Sequence, residues 1–165
     1  MRSLALAAAT VAALATGHAQ ARDSLGLYAT WGAFRDPMVP RCYAIAKAEP
    51  SRKERDYQPF AAIGTWPKRG VRGQIHFRLS REMAKDAAIL LRVGDERFEL
   101  AGGGGDAWAT DRKMNAAITA AMRSARSMTV SSRDKRGRRF SNTWTLSGAA
   151  SAMDAALLGC AKLGR

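Results

Sequence analysis

Gly102, Gly104 and Ala107, in the stretch RFELAGGGGDAWATD at residues 97–111, match the spacing G-x-G-x-x-A. In that pattern the glycines let the backbone approach a pyrophosphate at the start of a helix, so the chemistry would be nucleotide binding. The surroundings argue against it. A dinucleotide loop passes from a strand straight into a helix within a parallel βαβ unit. Here DAWATD intervenes before the helical pattern begins. The acid expected about 20 residues on is missing, where the chain reads ARSMTV, and no G-K-[ST] follows the glycines. The glycines are read as a turn.

Other catalytic groupings are equally thin. Metal hydrolases and Ser or Cys triads mostly use histidine. Beyond the N-terminal segment the chain has only His76, on the polar side of a strand pattern, where a solvated histidine is expected. Ser132–Lys135 (SRDK) fits S-x-x-K but lies in a predicted hairpin turn instead of a helix start, and no companion motif accompanies it. Asp95, Glu96, Glu99, Asp106 and Asp111 cluster in sequence. Paired catalytic carboxylates would have to converge in a cleft, and the reading here is turn and cap residues. No metal, no cofactor and no enzymatic activity are expected.

The elements that would position a binding site carry more information. Residues 1–21, MRSLALAAATVAALATGHAQA, combine an early Arg, an apolar run from Leu4 to about Thr16 and a closing Ala19-Gln20-Ala21. This is the pattern of a signal peptide, with an apolar run too short for a stable membrane span. The expectation is an exported single β-rich domain at residues 22–165, periplasmic or secreted. The whole chain has 27 Lys and Arg against 14 Asp and Glu, a net charge of +13 that falls to +12 without Arg2. Such charge favours polyanionic partners. Outside the cytoplasm these are lipopolysaccharide, anionic lipid headgroups or acidic glycans, and not nucleic acid. Cys42 and Cys160 are the only cysteines. In an oxidising compartment they read as a disulfide, the alternative being two buried thiols.

Period-two alternation dominates the rest. GQIHFRLS places Ile75, Phe77 and Leu79 on one side and Gln74, His76 and Arg78 on the other. Residues 87–101 read as a hairpin turning at Gly94-Asp95, and residues 127–146 as a second one turning at Arg133 to Gly137. In the latter, Asn142 interrupts an apolar side made of Phe140, Trp144 and Leu146. LGLYATWGAF, RCYAIAK and PFAAIGTW are three further strand candidates, and KAEPSRKERDYQP is a charged, flexible connection. Met114, Ile118 and Met122 predict a helix capped by Thr110 or Asp111. SGAASAMDAALLGCAK predicts a second helix, small-residued enough to lie close on a sheet. The fold class is mainly β (α+β): an antiparallel, sandwich-like sheet of about seven to eight strands with two short helices.

The order of YATWGAF, RCYAIA and the closing TWTLSGAASAMDAALLGC resembles the invasion-associated locus B family, exported proteins of Gram-negative bacteria. The resemblance runs from about Trp31 to Cys160, without additional cysteines that many relatives carry. It implies a small β-rich periplasmic or surface domain, some members being linked to host-cell invasion, and no established catalysis. Trp31, Cys42, Leu146, Gly148 and Cys160 are the positions it aligns, all with structural roles.

The expected function is therefore a non-enzymatic envelope protein that binds an anionic envelope component or an acidic protein. Candidate anion-binding residues are Arg133, Lys135, Arg136, Arg138 and Arg139 at one hairpin tip. Lys68, Arg69 and Arg72 extend the patch if the two loops are neighbours. Solubilising charge is the plain alternative. Trp66 and Trp108 could stack on a glycan or belong to the core. The competing functions are an envelope hydrolase and an inhibitor of a host enzyme such as lysozyme, the latter opposed by like-charge repulsion.

Overall fold

The computed structural model describes residues 22–53 and 55–161. The signal peptide expected at residues 1–21 lies outside them. The strands are β1 (Asp23–Tyr28), β2 (Trp31–Asp36), β3 (Arg41–Lys47), β4 (Phe60–Trp66), β5 (Val71–Arg78), β6 (Ile89–Val93), β7 (Glu96–Gly103), β8 (Asp106–Trp108), β9 (Ser127–Arg133) and β10 (Arg139–Thr145). The helices are α1 (Arg112–Ala121) and α2 (Ala149–Cys160), with a short 3₁₀ turn at Pro67–Arg69. The strands form one sheet in the order β1-β2-β3-β4-β5-β8-β7-β6-β9-β10, every pair antiparallel.

Ten strands replace the seven or eight expected, for two local reasons. LGLYATWGAF is not one strand but the hairpin β1–β2, turning at Ala29-Thr30 with Tyr28 opposite Trp31. Ala29 takes a positive φ of 50°, a conformation its side chain does not advertise. The glycine run is the second case. Gly102 and Gly103 extend β7, the chain reverses at Gly104-Gly105, and β8 returns with Gly103 opposite Asp106. Gly104 sits at φ 58°, and a Cβ on Gly102 would strike the Asp106 carbonyl. The glycines therefore serve a tight reversal, as expected, but inside a hairpin that strand propensity conceals.

β7 bends the sheet. Its first part, Glu96–Leu100, pairs with β6, and Ala101–Gly103 pair with β8. The two halves of the sheet fold toward one another without closing, and their inner sides make the core. Phe77 of β5 meets Trp144 of β10 with ring centroids 5.4 Å apart. Trp31 is fully buried and donates from Nε1 to the Thr145 carbonyl at 2.9 Å. Asn142, the break in the apolar side of β10, is buried too, and its Oδ1 accepts from the Ser80 N–H at 2.9 Å. A buried backbone donor requires such a partner, so the polar residue completes the core.

α2 covers the inner side of β1–β4. Ala149, Ala152 and Ala156 face Ala33, Ala44 and other small residues of the same core, all buried, which permits the close approach. Gly148 precedes the helix at φ 85°, with no room for a Cβ against the Tyr28 carbonyl. It is a turn glycine under close contact. The disulfide Cys42–Cys160 then ties the last turn of α2 to β3, with Cα atoms 5.6 Å apart. α1 is capped by Asp111, whose side chain accepts from the Met114 N–H at 2.7 Å. Its Asn115 continues the β5 ladder where β8 stops, accepting from Ile75 N–H at 2.8 Å and donating to the Gly73 carbonyl at 2.6 Å.

The connection read as flexible is tied at several points. Ala48 N–H donates to Pro59, Glu49 N–H to Thr143, and Asp56 N–H to Ser80. Leu27 and Leu158 remain strongly exposed.

Candidate functional site

The basic hairpin tip is partly neutralised. Asp134, almost fully buried, accepts from the backbone N–H groups of Arg136 and Arg138 at 3.0 and 2.9 Å and from the Arg138 guanidinium at 2.9 Å. Burial pushes its carboxyl up. The two backbone N–H groups, the guanidinium bond and the Arg138 charge outweigh burial and hold it below its ordinary 3.8. Lys135 pairs with Glu82 at 2.7 Å, and that bond raises its ammonium pKa. Arg133 donates to its own turn at Gly137. Only Arg136 and Arg139 have no side-chain partner among the described residues.

A pH dependence follows from Asp134. A carboxylate with a depressed folded pKa contributes stability above its unfolded pKa and loses it as pH falls through the lower folded value. Asp134→Asn should lower the thermal midpoint near neutral pH. The gap to wild type should narrow only once the pH drops below about 4. Thermal denaturation across that range checks it, and a constant gap would remove the charge from the explanation.

The two basic loops are not neighbours. The hairpin tip bonds residues beyond the end of β5, through Ala84 N–H to Arg133 and Lys135 N–H to Glu82. Lys68 and Arg69 precede the start of β5, and Arg72 is its second residue. The eight residues of β5, about 25 Å long, lie between. The expected extended patch does not form, because sequence offers no measure of which ends of a sheet coincide.

Another cluster does form. On the outer side of β6, β7, β9 and β10, Arg92 lies directly opposite Arg97, and Arg133 directly opposite Arg139. All four are exposed, and none has a carboxylate partner within 4.0 Å among the described residues. Arg92 faces Thr129 across the β6–β9 ladder, and Thr129 faces Thr143. Four steps along β9, from Thr129 to Arg133, separate the two rows, about 14 Å. Between the rows lie Ser131, Ser141, Leu90 and one acid, Glu99. Thr129 and Thr143 share a hydroxyl hydrogen bond of 3.0 Å. Like charges directly opposite on a sheet are destabilising. Arg92 and Arg97 were missed as candidates, although the turn at Gly94-Asp95 already places them opposite each other.

The remaining expected residues fall out of catalytic arrangement. The Ser132 hydroxyl donates to the Ala88 carbonyl, away from Lys135. Asp111 caps α1, while Asp106 pairs with His76 and Arg78. Trp66 lies over Gly64, and Trp108 is 37% exposed. No cluster of three or more His, Cys, Asp or Glu suited to a metal occurs among the described residues.

The chain aligns with the crystal structure of invasion associated protein B from Bartonella henselae at a TM-score of 0.56. The fold is that of invasion associated protein B. Identity to that protein is 14%, over 81% of this chain and 95% of the other. At such identity, invasion associated protein B shares an architecture with this chain and lends it no residue roles. No protein-family model matches the sequence, and no curated protein matches it.

Proposed function

We propose that this is a non-enzymatic, exported envelope protein of the invasion-associated locus B type, which binds an anionic envelope component through the outer side of β6, β7, β9 and β10. The observation that supports it is the two pairs of facing arginines, Arg92–Arg97 and Arg133–Arg139, on one hydroxyl-bearing face. Guanidinium groups take phosphate or sulfate bidentately, and neighbouring hydroxyls add neutral hydrogen bonds. An anion bound between two arginines removes the repulsion that the free protein carries. Export is supported by the disulfide, which persists in oxidising compartments. No helix among the described residues is long and apolar enough to cross a membrane.

Co-sedimentation with purified outer-membrane fragments tests the reading. Arg92→Ser with Arg97→Ser should weaken binding about tenfold or more, and added salt should weaken the wild type. Lys68→Ser, Arg69→Ser and Arg72→Ser together should leave binding nearly intact. Equal loss in both sets would assign the effect to net charge alone. Absence of binding by the wild type would end the proposal.

A further inference from the structure

A second built surface lies on the outer side of the other half of the sheet. Across β5 and β8, His76 stands opposite Trp108 and Arg78 opposite Asp106. Across β8 and β7, Trp108 stands opposite Ala101 and Asp106 opposite Gly103. The Trp108 indole stacks on the His76 imidazole, with centroids 5.1 Å apart and planes 11° from parallel. Phe60 meets the same imidazole edge-on at 5.4 Å. One face of the indole is thus occupied. The cross-strand neighbour of Trp108 on β7 is the exposed Ala101, and Gly103, opposite Asp106, adds no side chain beside it.

The polar groups are equally fixed. Asp106 Oδ1 accepts from His76 Nε2 at 2.8 Å and forms an ion pair with Arg78, whose Nε lies 3.1 Å away. Asp106 Oδ2 accepts no hydrogen bond among the described residues. The Arg78 guanidinium lies 5.0 Å over the Tyr57 ring, which fixes its orientation. Core packing does not account for Trp108, because its neighbour Ala107 faces the interior while the indole is 37% exposed.

We propose that this shelf is a binding site for a pyranose ring of a saccharide. A pyranose has an apolar C–H face and a rim of hydroxyls. The C–H face suits the electron-rich face of Trp108. Vicinal hydroxyls would donate to Asp106 Oδ2 and accept from the remaining N–H groups of Arg78. Stacking and ion pairing already hold these side chains in place, so little ordering is lost on binding. The site uses none of the four facing arginines and stands independently of the anion-binding face.

The test is titration of the full exported chain with hexasaccharides of N-acetylglucosamine and of glucose, read on the indole N–H resonances. The Trp108 resonance should shift and saturate while those of the buried Trp31 and Trp144 stay in place. The responding hexasaccharide distinguishes an N-acetylated glycan from a plain one. Trp108→Ala should weaken binding about tenfold or more, Trp108→Phe less, and Arg92→Ser with Arg97→Ser not at all. Because the wild-type resonance reports by itself, a variant that fails to fold does not blind the experiment. No Trp108 shift with either sugar, or undiminished binding by folded Trp108→Ala, would overturn the proposal.

Discussion

Replacing Cys42 and Cys160 together with alanine should lower the free energy of unfolding by about 4–5 kcal/mol. The bridge closes a separation of 118 residues. A cross-link of that span removes much of the unfolded chain's conformational freedom. It also pins the last turn of α2 covalently to the start of β3, the strand against which that helix packs most. Both sulfur positions are buried, Cys42 fully. A domain's whole stability is typically about 5–15 kcal/mol, so the variant should populate unfolded chain on mild heating. Guanidinium unfolding with and without reductant measures the effect. Reductant should bring the wild type toward the variant and leave the variant unmoved. A difference below about 1 kcal/mol would mean that α2 is held by its alanine packing alone.

Trp144→Ala should cost about 3–5 kcal/mol, the range for deleting a large aromatic from a packed core. Trp144 is fully buried in β10 and touches Phe77 of β5, so it joins the two halves of the bent sheet. Its indole N–H is buried without a hydrogen-bond partner among the described residues, and such a group is itself costly, by about 1–3 kcal/mol. Trp144→Phe removes that donor while keeping a ring against Phe77. It should therefore cost much less than Trp144→Ala. Chemical denaturation of the two variants side by side checks the order. A loss below about 1 kcal/mol for alanine would show that the halves are held together elsewhere.

Much of this architecture is legible without coordinates. The alternation in GQIHFRLS and in FSNTWTL reports which side chains point inward, because one sheet face meets the core and the other meets water. The hairpins β6–β7 and β9–β10 are equally readable. A short turn between alternating runs fixes the register, and with it the opposition of Arg92 to Arg97. The cysteine pairing is expected from there being two cysteines in a chain read as exported, with two buried thiols as the alternative, and the structure has the bridge. Both helices announce themselves by spacing and composition.

Other features depend on partners distant in sequence. Asp134 and Glu82 pair with Arg138 and Lys135 of the basic hairpin, and Glu82 comes from a loop more than 50 residues away. Asn142 looks like an error in an apolar pattern until Ser80 N–H is seen against it. β8 has three residues, and glycines precede it, so nothing local marks it as a strand. Yet it alone sets Trp108 and Asp106 beside His76 and Arg78.

By itself, then, the sequence determined the mainly β class, the faces of the longer strands, the local hairpin registers, the stapling cysteines and the basic balance. Only the tertiary structure decided the strand order, the separation of the two basic loops, the shared arginine face and the Trp108 shelf. The physical reason is that alternation and turns act between near neighbours along the chain. Which strands lie side by side is chosen by burying all the apolar faces at once, and no single segment carries that information.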